Sequence, residues 1–193
     1  LENNIKETIT ALLQSVNREG IDRLISFLYQ SDFFTAPCST EYHLAVPGGL
    51  AEHSLNVYNV LKQKVQSYNL NIPGESLIIC GLCHDLCKVN YYTTGKRNVK
   101  ENGVWREKEV FMVKDQFPMG HGEKSVSILQ DFIRLENFEK LAIRWHMTAF
   151  DPSIHFNYPN GYAFRAAAAQ HPLVTLLFTA DYEASNIIEA KVA

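Results

Sequence analysis

No apolar run in the chain is long and clean enough to cross a bilayer. The most hydrophobic stretch, Ala163 to Ala180, is broken by Arg165, Gln170, His171 and Pro172, so it reads as a core helix rather than a span. A surplus of positive charge is also missing. The 18 basic and 21 acidic side chains leave a formal net charge of −3, which excludes a global footprint for nucleic acid and leaves room only for a local basic groove. Cysteines are few, and Cys80, Cys83 and Cys87 crowd into one apolar segment whose geometry suits disulfides poorly. A reducing, cytoplasmic setting is expected from that. Internal repeats and low-complexity tracts are lacking. No secretory leader is visible, although a chain that starts at Leu1 leaves its natural beginning open.

What remains is ordinary globular composition, 46% hydrophobic over 193 residues, enough for one domain with a sizeable core. Helical spacing dominates. From Asn4 to Tyr29, Ile5, Ile9, Leu12, Leu13 and Val16 are followed by Ile21, Leu24, Ile25 and Leu28, with Gly20 separating two helices. An irregular loop, Thr35 to Gly49, precedes a helix from Leu50 to Tyr68; Pro73-Gly74 then opens a helix from Glu75 to Lys88. Between Tyr91 and Val113 the pattern changes to Val99, Val104, Trp105, Val110 and Phe111 around Asn102-Gly103, which predicts an inserted β-hairpin. Helices are expected from Gly120 to Leu135, from Glu139 to Met147 and from Pro172 to Ala190, with a loop over Asp151 to Tyr162. The fold class is therefore mainly α. Residues 1–193 are expected to form one domain, with N-terminal helices over 1–41 and a metal-binding core over 42–185.

The chemistry concentrates in histidines and aspartates set on apolar elements. His84-Asp85 lies within Leu77-Ile78-Ile79-Cys80 and Leu86. At about 100° per residue, His84, Asp85 and Lys88 share one arc, with Gly81 leaving room in its middle. A carboxylate in such surroundings needs a cation or hydrogen-bonding partners. His53 falls on the stripe of Leu50, Val57 and Leu61, and Asp181 on that of Val174, Leu177 and Phe178. His121, between Gly120 and Gly122, opens a helix, and His146 closes Ile143-Arg144-Trp145. One such histidine is usually a satisfied core residue, but four with two aspartates suggest convergence. Neutral imidazoles and carboxylates suit iron, manganese or zinc. Six candidate ligands exceed the needs of one catalytic ion, and two ions sharing Asp85 suit phosphoester hydrolysis.

The ordered set His53, His84-Asp85, His121, His146 and Asp181 resembles the HD superfamily of metal-dependent phosphohydrolases. Pro47-Gly48-Gly49-Leu50-Ala51-Glu52-His53 is similar to its first-histidine segment, and Leu82-Cys83-His84-Asp85-Leu86-Cys87-Lys88 to its signature. Gly120-His121-Gly122 and Trp145-His146 match the additional histidines of the dinuclear branch. The resemblance, which runs from Tyr42 to about Ser185, implies an all-helical core in which His53, His84, Asp85 and Asp181 surround one divalent transition metal. His121 and His146 would hold a second, with Asp85 bridging and acting in catalysis. It implies Lys88 as a phosphate contact, against the plainer reading of a solvated cation at a helix C-terminus. His43 would approach the site, against the plainer reading of a loop surface histidine, and either it or metal-bound water could supply the proton that the departing alcohol needs. The expected substrate is small and phosphorylated, nucleotide-like, and cleaved as a monoester or diester by metal-activated water; single-stranded nucleic acid is a second form of it. Other classes compatible with the same ligands are a di-iron oxygenase and a non-catalytic metal- or effector-binding module.

Three further groups invite a function. Cys80, Cys83 and Cys87 could form a thiolate zinc site, but the fourth thiolate, Cys38, is distant in sequence, and small core residues are the better reading. Lys96, Arg97, Lys100, Arg106 and Lys108 make the hairpin basic, while Glu101, Glu107 and Glu109 blunt it. Phe150, Phe156, Tyr158 and Tyr162 could stack a base or merely anchor their loop.

Overall fold

The computed structural model describes residues 2–101, 103–151 and 158–190. Eight α-helices are seen among them, with one two-stranded sheet. Helices α1 (Glu2–Gln14) and α2 (Ile21–Gln30) meet at Gly20 as their spacing predicts, and bury Ile9, Leu13, Leu24 and Leu28. Helix α3 (Gly49–Ser67) is buried on most of its circumference, through Leu50, His53, Ser54, Val57, Tyr58 and Leu61. It packs against α4 (Gly74–Cys83), which is buried at every position from Ser76 to Cys83. A helix so enclosed needs small side chains where a neighbour crosses. A Cβ at Gly81 would stand 2.6 Å from Tyr58 Cα, so this glycine admits the α3 backbone rather than leaving room for a ligand. Cys80 and Cys83 likewise act as small core residues, and burial pushes the Cys83 thiol up to about 12.

The chain then departs from the expected single helix over Glu75 to Lys88. Helix α4 stops at Cys83, His84 caps it, Asp85 leaves helical geometry (φ −103°, ψ 21°), and Leu86–Lys88 forms a 3-10 turn. Strands β1 (Tyr92–Glu101) and β2 (Val104–Val113) form the anticipated antiparallel hairpin, from Tyr92 opposite Val113 to Glu101 opposite Val104. Of its turn, Gly103 is described with φ 84°, the left-handed region a tight hairpin needs; Asn102 lies outside the described residues.

Helix α5 (His121–Gln130) is shorter than expected, and α6 (Asn137–Trp145) follows a capping box in which Glu136 and Glu139 exchange bonds. Glu139, with no exposed side chain, also accepts two hydrogen bonds from Arg18, at 2.7 and 2.6 Å. Part of the expected loop over Asp151 to Tyr162 is helical, because α7 (Tyr158–Gln170) begins at Tyr158; His155 and Phe156 lie outside the described residues. The run Ala163 to Ala180 is two helices. His171 is extended (φ −133°, ψ 105°) before Pro172, since a proline ring disfavours helical geometry in the residue before it. Helix α8 (Pro172–Glu183) then ends in a π turn, Ala184–Ile188, rather than running on to Ala190. Helix α8 packs on α3 and α6, and α5 packs on α6 and on the Leu86–Lys88 turn. No described helix is long and apolar enough to cross a membrane.

Candidate metal centre

Five segments deliver the six predicted ligands to one place. His53 comes from the interior face of α3, His84 and Asp85 from the end of α4, and His121 from the first position of α5. His146 caps α6 and Asp181 lies in the last turns of α8. A Cβ on Gly122 would fall 2.2 Å from Arg144 O, so the glycine after His121 lets the α5 start lie directly on the α6 end. The imidazoles form a continuous arc: ring centroids are 5.3 Å apart for His53 and His84, 5.0 Å for His84 and His146, and 5.2 Å for His121 and His146. Asp85, 2% exposed, is the hub. Its oxygens lie 2.8 Å from His121 Nε2, 3.5 Å from His146 Nε2, 3.6 Å from His53 Nε2 and 2.7 Å from Lys88 Nζ.

The hydrogen bonds select tautomers. His84 Nδ1–H donates to Gly81 O at 2.9 Å, and His146 Nδ1–H donates to Ile143 O at 2.6 Å. A carbonyl can only accept, so in the neutral rings both Nε2 atoms carry the lone pair. Burial keeps His84 neutral, pushing it down to about 4. His53 Nδ1 is bound by the Glu189 carboxylate at 3.1 Å, and its Nε2 faces His84 Nε2 at 3.3 Å and Asp181 Oδ1 at 3.2 Å. The His146 Nε2 atom is buried without a hydrogen-bond partner among the described residues. Ring nitrogens aimed at one another beside two carboxylates call for positive charge between them.

The electrostatics agree. Burial alone would lower His53, yet it is held well above its ordinary value by Cys38 and the Asp181 and Glu189 carboxylates. Burial would raise Asp85, but Lys88, His84 and His121 hold it well below the usual carboxylate range. Asp181 is lowered in the same way by His53, against its own burial. The orphaned His146 nitrogen and the nitrogen-and-carboxylate donor set fit a first-row divalent cation. The close groupings are Cys38 with His43 and His53, His53 with His84 and Asp85, His84 with His146 and Asp181, and Asp85 with Cys87 and His121. His146 thus clusters with His84 and Asp181 as well as approaching Asp85. No described group of this kind includes Cys80 or Cys83.

His43 does reach the centre. Its ring is 5.0 Å from that of His53, with Nε2 3.3 Å from Cys38 Sγ and 3.4 Å from Ser185 Oγ; burial lowers it. Lys88 is not a solvated helix-end cation, for its ammonium is ion-paired to Asp85 and lies 3.5 Å from Cys38 Sγ. Asp85, His121, His146 and Asp181 line a cavity of about 800 Å³ together with Lys88, His43 and the aromatic side chains of Tyr42, Tyr91, Tyr92, Phe150, Phe178 and Tyr182. Phe150 and Tyr182 stack at 6.0 Å, inclined by 18°. The hairpin's basic side chains are largely spent elsewhere: Lys96 pairs with Glu107, Arg97 with Glu41, and Lys100 lies over Trp105.

Sequence reasoning missed Glu189, Ser185 and Cys38. Cys38 was set aside as distant, and nothing in the spacing marks Glu189, which reaches His53 only through the π turn. Phe178 could have been found, because it precedes Asp181 by three positions on one helix face, whereas Tyr182 is adjacent to Asp181 and its spacing carries no such signal.

The HD domain family model matches residues 50–186, a span that contains all six clustered residues and most of the chain. The protein belongs to the HD domain family. HD domains bind divalent metals, and the family consists largely of metal-dependent phosphohydrolases. No curated protein and no solved structure matches the chain.

Proposed function

We propose that this protein is a metal-dependent phosphohydrolase that cleaves a phosphoester, as a monoester or diester, in a nucleotide-like substrate. The observation that carries the reading is the set of Nε2 atoms of His53, His84 and His146 turned toward Asp85 and Asp181, in a cluster of which Asp85, His121, His146 and Asp181 line an open cavity. His53, His84, Asp85, His121, His146 and Asp181 are the residues that would hold iron, manganese or zinc, with Asp85 shared between two ions. Divalent ions there supply Lewis acidity toward phosphoryl oxygens and lower the pKa of water.

The protein's own groups do the rest. Lys88, whose ammonium burial lowers but Asp85 holds well above its ordinary value, keeps a fixed positive charge beside the site for non-bridging oxygens, and this favours an anionic substrate over oxidation chemistry. His43, which lines the cavity with Nε2 beside Ser185 Oγ, is the proposed hydrogen-bond partner of the departing oxygen, and since burial lowers the imidazole the proton that completes the alcohol would come from water. The aromatic side chains that line the cavity can hold a base by its faces while its phosphate lies toward Lys88 and the clustered ligands. Small nucleotides suit a cavity of this size, and a single-stranded 3′ end would enter it in the same orientation.

The test is elemental analysis of the purified protein beside a phosphate-release screen of nucleotides and dinucleotides. Chelation should abolish turnover, and manganese or iron should restore it. Two ions are expected in the wild type, about one in His121→Ala or His146→Ala, and few in Asp85→Ala. Undiminished turnover after verified metal removal overturns the proposal.

A further inference from the structure

Glu189 lies beyond the segment that the HD family model matches, yet its side chain is only 1% exposed and ends on a ring of the cluster. Both carboxylate oxygens stand 3.1 Å from His53 Nδ1, and Oε1 also accepts from Asn56 Nδ2 at 3.0 Å. The same imidazole meets Asp181 on its opposite nitrogen, at 3.2 Å. One ring is therefore held from both sides by carboxylates eight positions apart in sequence.

A regular helix would not deliver that grip. At 3.6 residues per turn, Glu189 would point about 80° away from the direction of Asp181 and lie about 12 Å further along the axis. The π turn Ala184–Ile188 intervenes, closed by the Glu189 N–H donating to Ala184 O at 2.9 Å. A π turn advances less per residue than an α turn and takes up the offset, and such turns concentrate at functional sites. Burying a carboxylate is costly unless it is paired and hydrogen-bonded; here the pairing is with His53 and Asn56.

We infer that Glu189 is a positioning residue of the metal centre: it binds His53 Nδ1–H and thereby fixes the ring orientation that presents Nε2 to the cation. His84 and His146 receive the same service from backbone carbonyls of their own helices, Gly81 O and Ile143 O. His53, whose ring lies inside α3 rather than at its end, finds its acceptor instead in Glu189, at the close of the Ala184–Ile188 turn. The inference rests on the reading of the cluster as a metal site, and it concerns orientation rather than chemistry.

The experiment uses the full chain, stripped by chelator and titrated with zinc by competition against a fluorescent chelator, with folding checked by circular dichroism. Outer hydrogen-bond partners of metal-bound histidines are commonly worth 10–100-fold in affinity. Glu189→Ala should weaken zinc binding by about that factor. Glu189→Gln keeps an acceptor oxygen in nearly the same shape and should retain most of the affinity. In the zinc-loaded protein labelled with ¹⁵N-histidine, the His53 Nδ1–H resonance should be present in the wild type and Glu189→Gln and lost or shifted in Glu189→Ala. Wild-type affinity together with an unchanged His53 resonance in Glu189→Ala overturns the inference while leaving the metal centre standing. A loss in Glu189→Gln as deep as in Glu189→Ala also overturns it, since the accepting oxygen would then not be what matters. A wild type that takes up no zinc, manganese or iron removes the centre itself and this role with it.

Discussion

Stripping the metal should lower the melting temperature by an amount that follows from how the ligands are distributed. They reside on α3, at the end of α4, at the start of α5, at the end of α6 and on α8, so an ion bound to them ties together five segments that an unfolded chain cannot gather. A ligand that binds only the folded form stabilises it by RT ln(1 + [L]/Kd), about 2.7 kcal/mol at a hundredfold excess over Kd and about 4.1 kcal/mol at a thousandfold. For a chain of this length each kcal/mol is worth about 2–4 °C, which gives a rise of roughly 5–16 °C. Scanning calorimetry on chelator-treated protein, repeated at graded manganese or zinc concentrations, reads the effect directly, and the midpoint should climb with the logarithm of free metal. Asp85→Asn, which removes the charge at the hub, should flatten that dependence. A wild-type midpoint indifferent to metal, or an equal rise in Asp85→Asn, would refute the reasoning.

Lys88→Ala should raise the barrier to hydrolysis by on the order of 2–4 kcal/mol with metal content near that of the wild type; unchanged steady-state kinetics would leave Lys88 as a counter-ion of Asp85 alone. Arg18→Ala strands the buried Glu139 carboxylate and should cost about 3–5 kcal/mol in denaturant unfolding at pH 7. Burial pushes Glu139 up, but Arg18 outweighs it and holds the carboxyl below its ordinary value of 4.5. That stabilisation is present above the unfolded value and lost as pH falls through the folded one, so the wild type should lose stability below about pH 4.5 and Arg18→Ala should lose less. Gly81→Ala drives a Cβ into Tyr58 and should destabilise by about 1–3 kcal/mol, measured by the same unfolding; no loss would mean that α3 can move aside.

The helical framework was legible because its cause is local. The stripe Leu50, Val57 and Leu61 turned His53 inward before any tertiary contact was considered, and the alternation around Gly103 marked the hairpin. The six clustered residues were legible for a related reason: a histidine or aspartate on an apolar face is costly, so its presence advertises a partner. What failed was where helices end. His84, Asp85 and Lys88 were placed on one helical arc, but Asp85 leaves helical geometry and reaches the cluster from a turn. Gly81 was read as leaving space near that arc, whereas the space is filled by the α3 backbone, a contact with no trace in local spacing. Glu189 was invisible because its usefulness depends on a π turn, and a hydrophobic period tuned to 3.6 residues cannot register one.

The hairpin leaves and rejoins the body of the protein at a single point, since Tyr92 and Val113 face each other across the ladder. Neighbouring strands lie about 5 Å apart, so the arm is in effect a graft. Removing or adding one facing pair changes its length without shifting the register of the rest, and a short turn could close the gap if the whole arm were excised. Apart from ties such as Arg97 with Glu41, helical core and arm can therefore drift separately: mutations along β1 and β2 reshape the part of the cavity that Tyr92 and Val113 line, while the nest of histidines and aspartates is inherited unchanged. A scaffold divided in this way can change what it admits without relearning how to hold its metal.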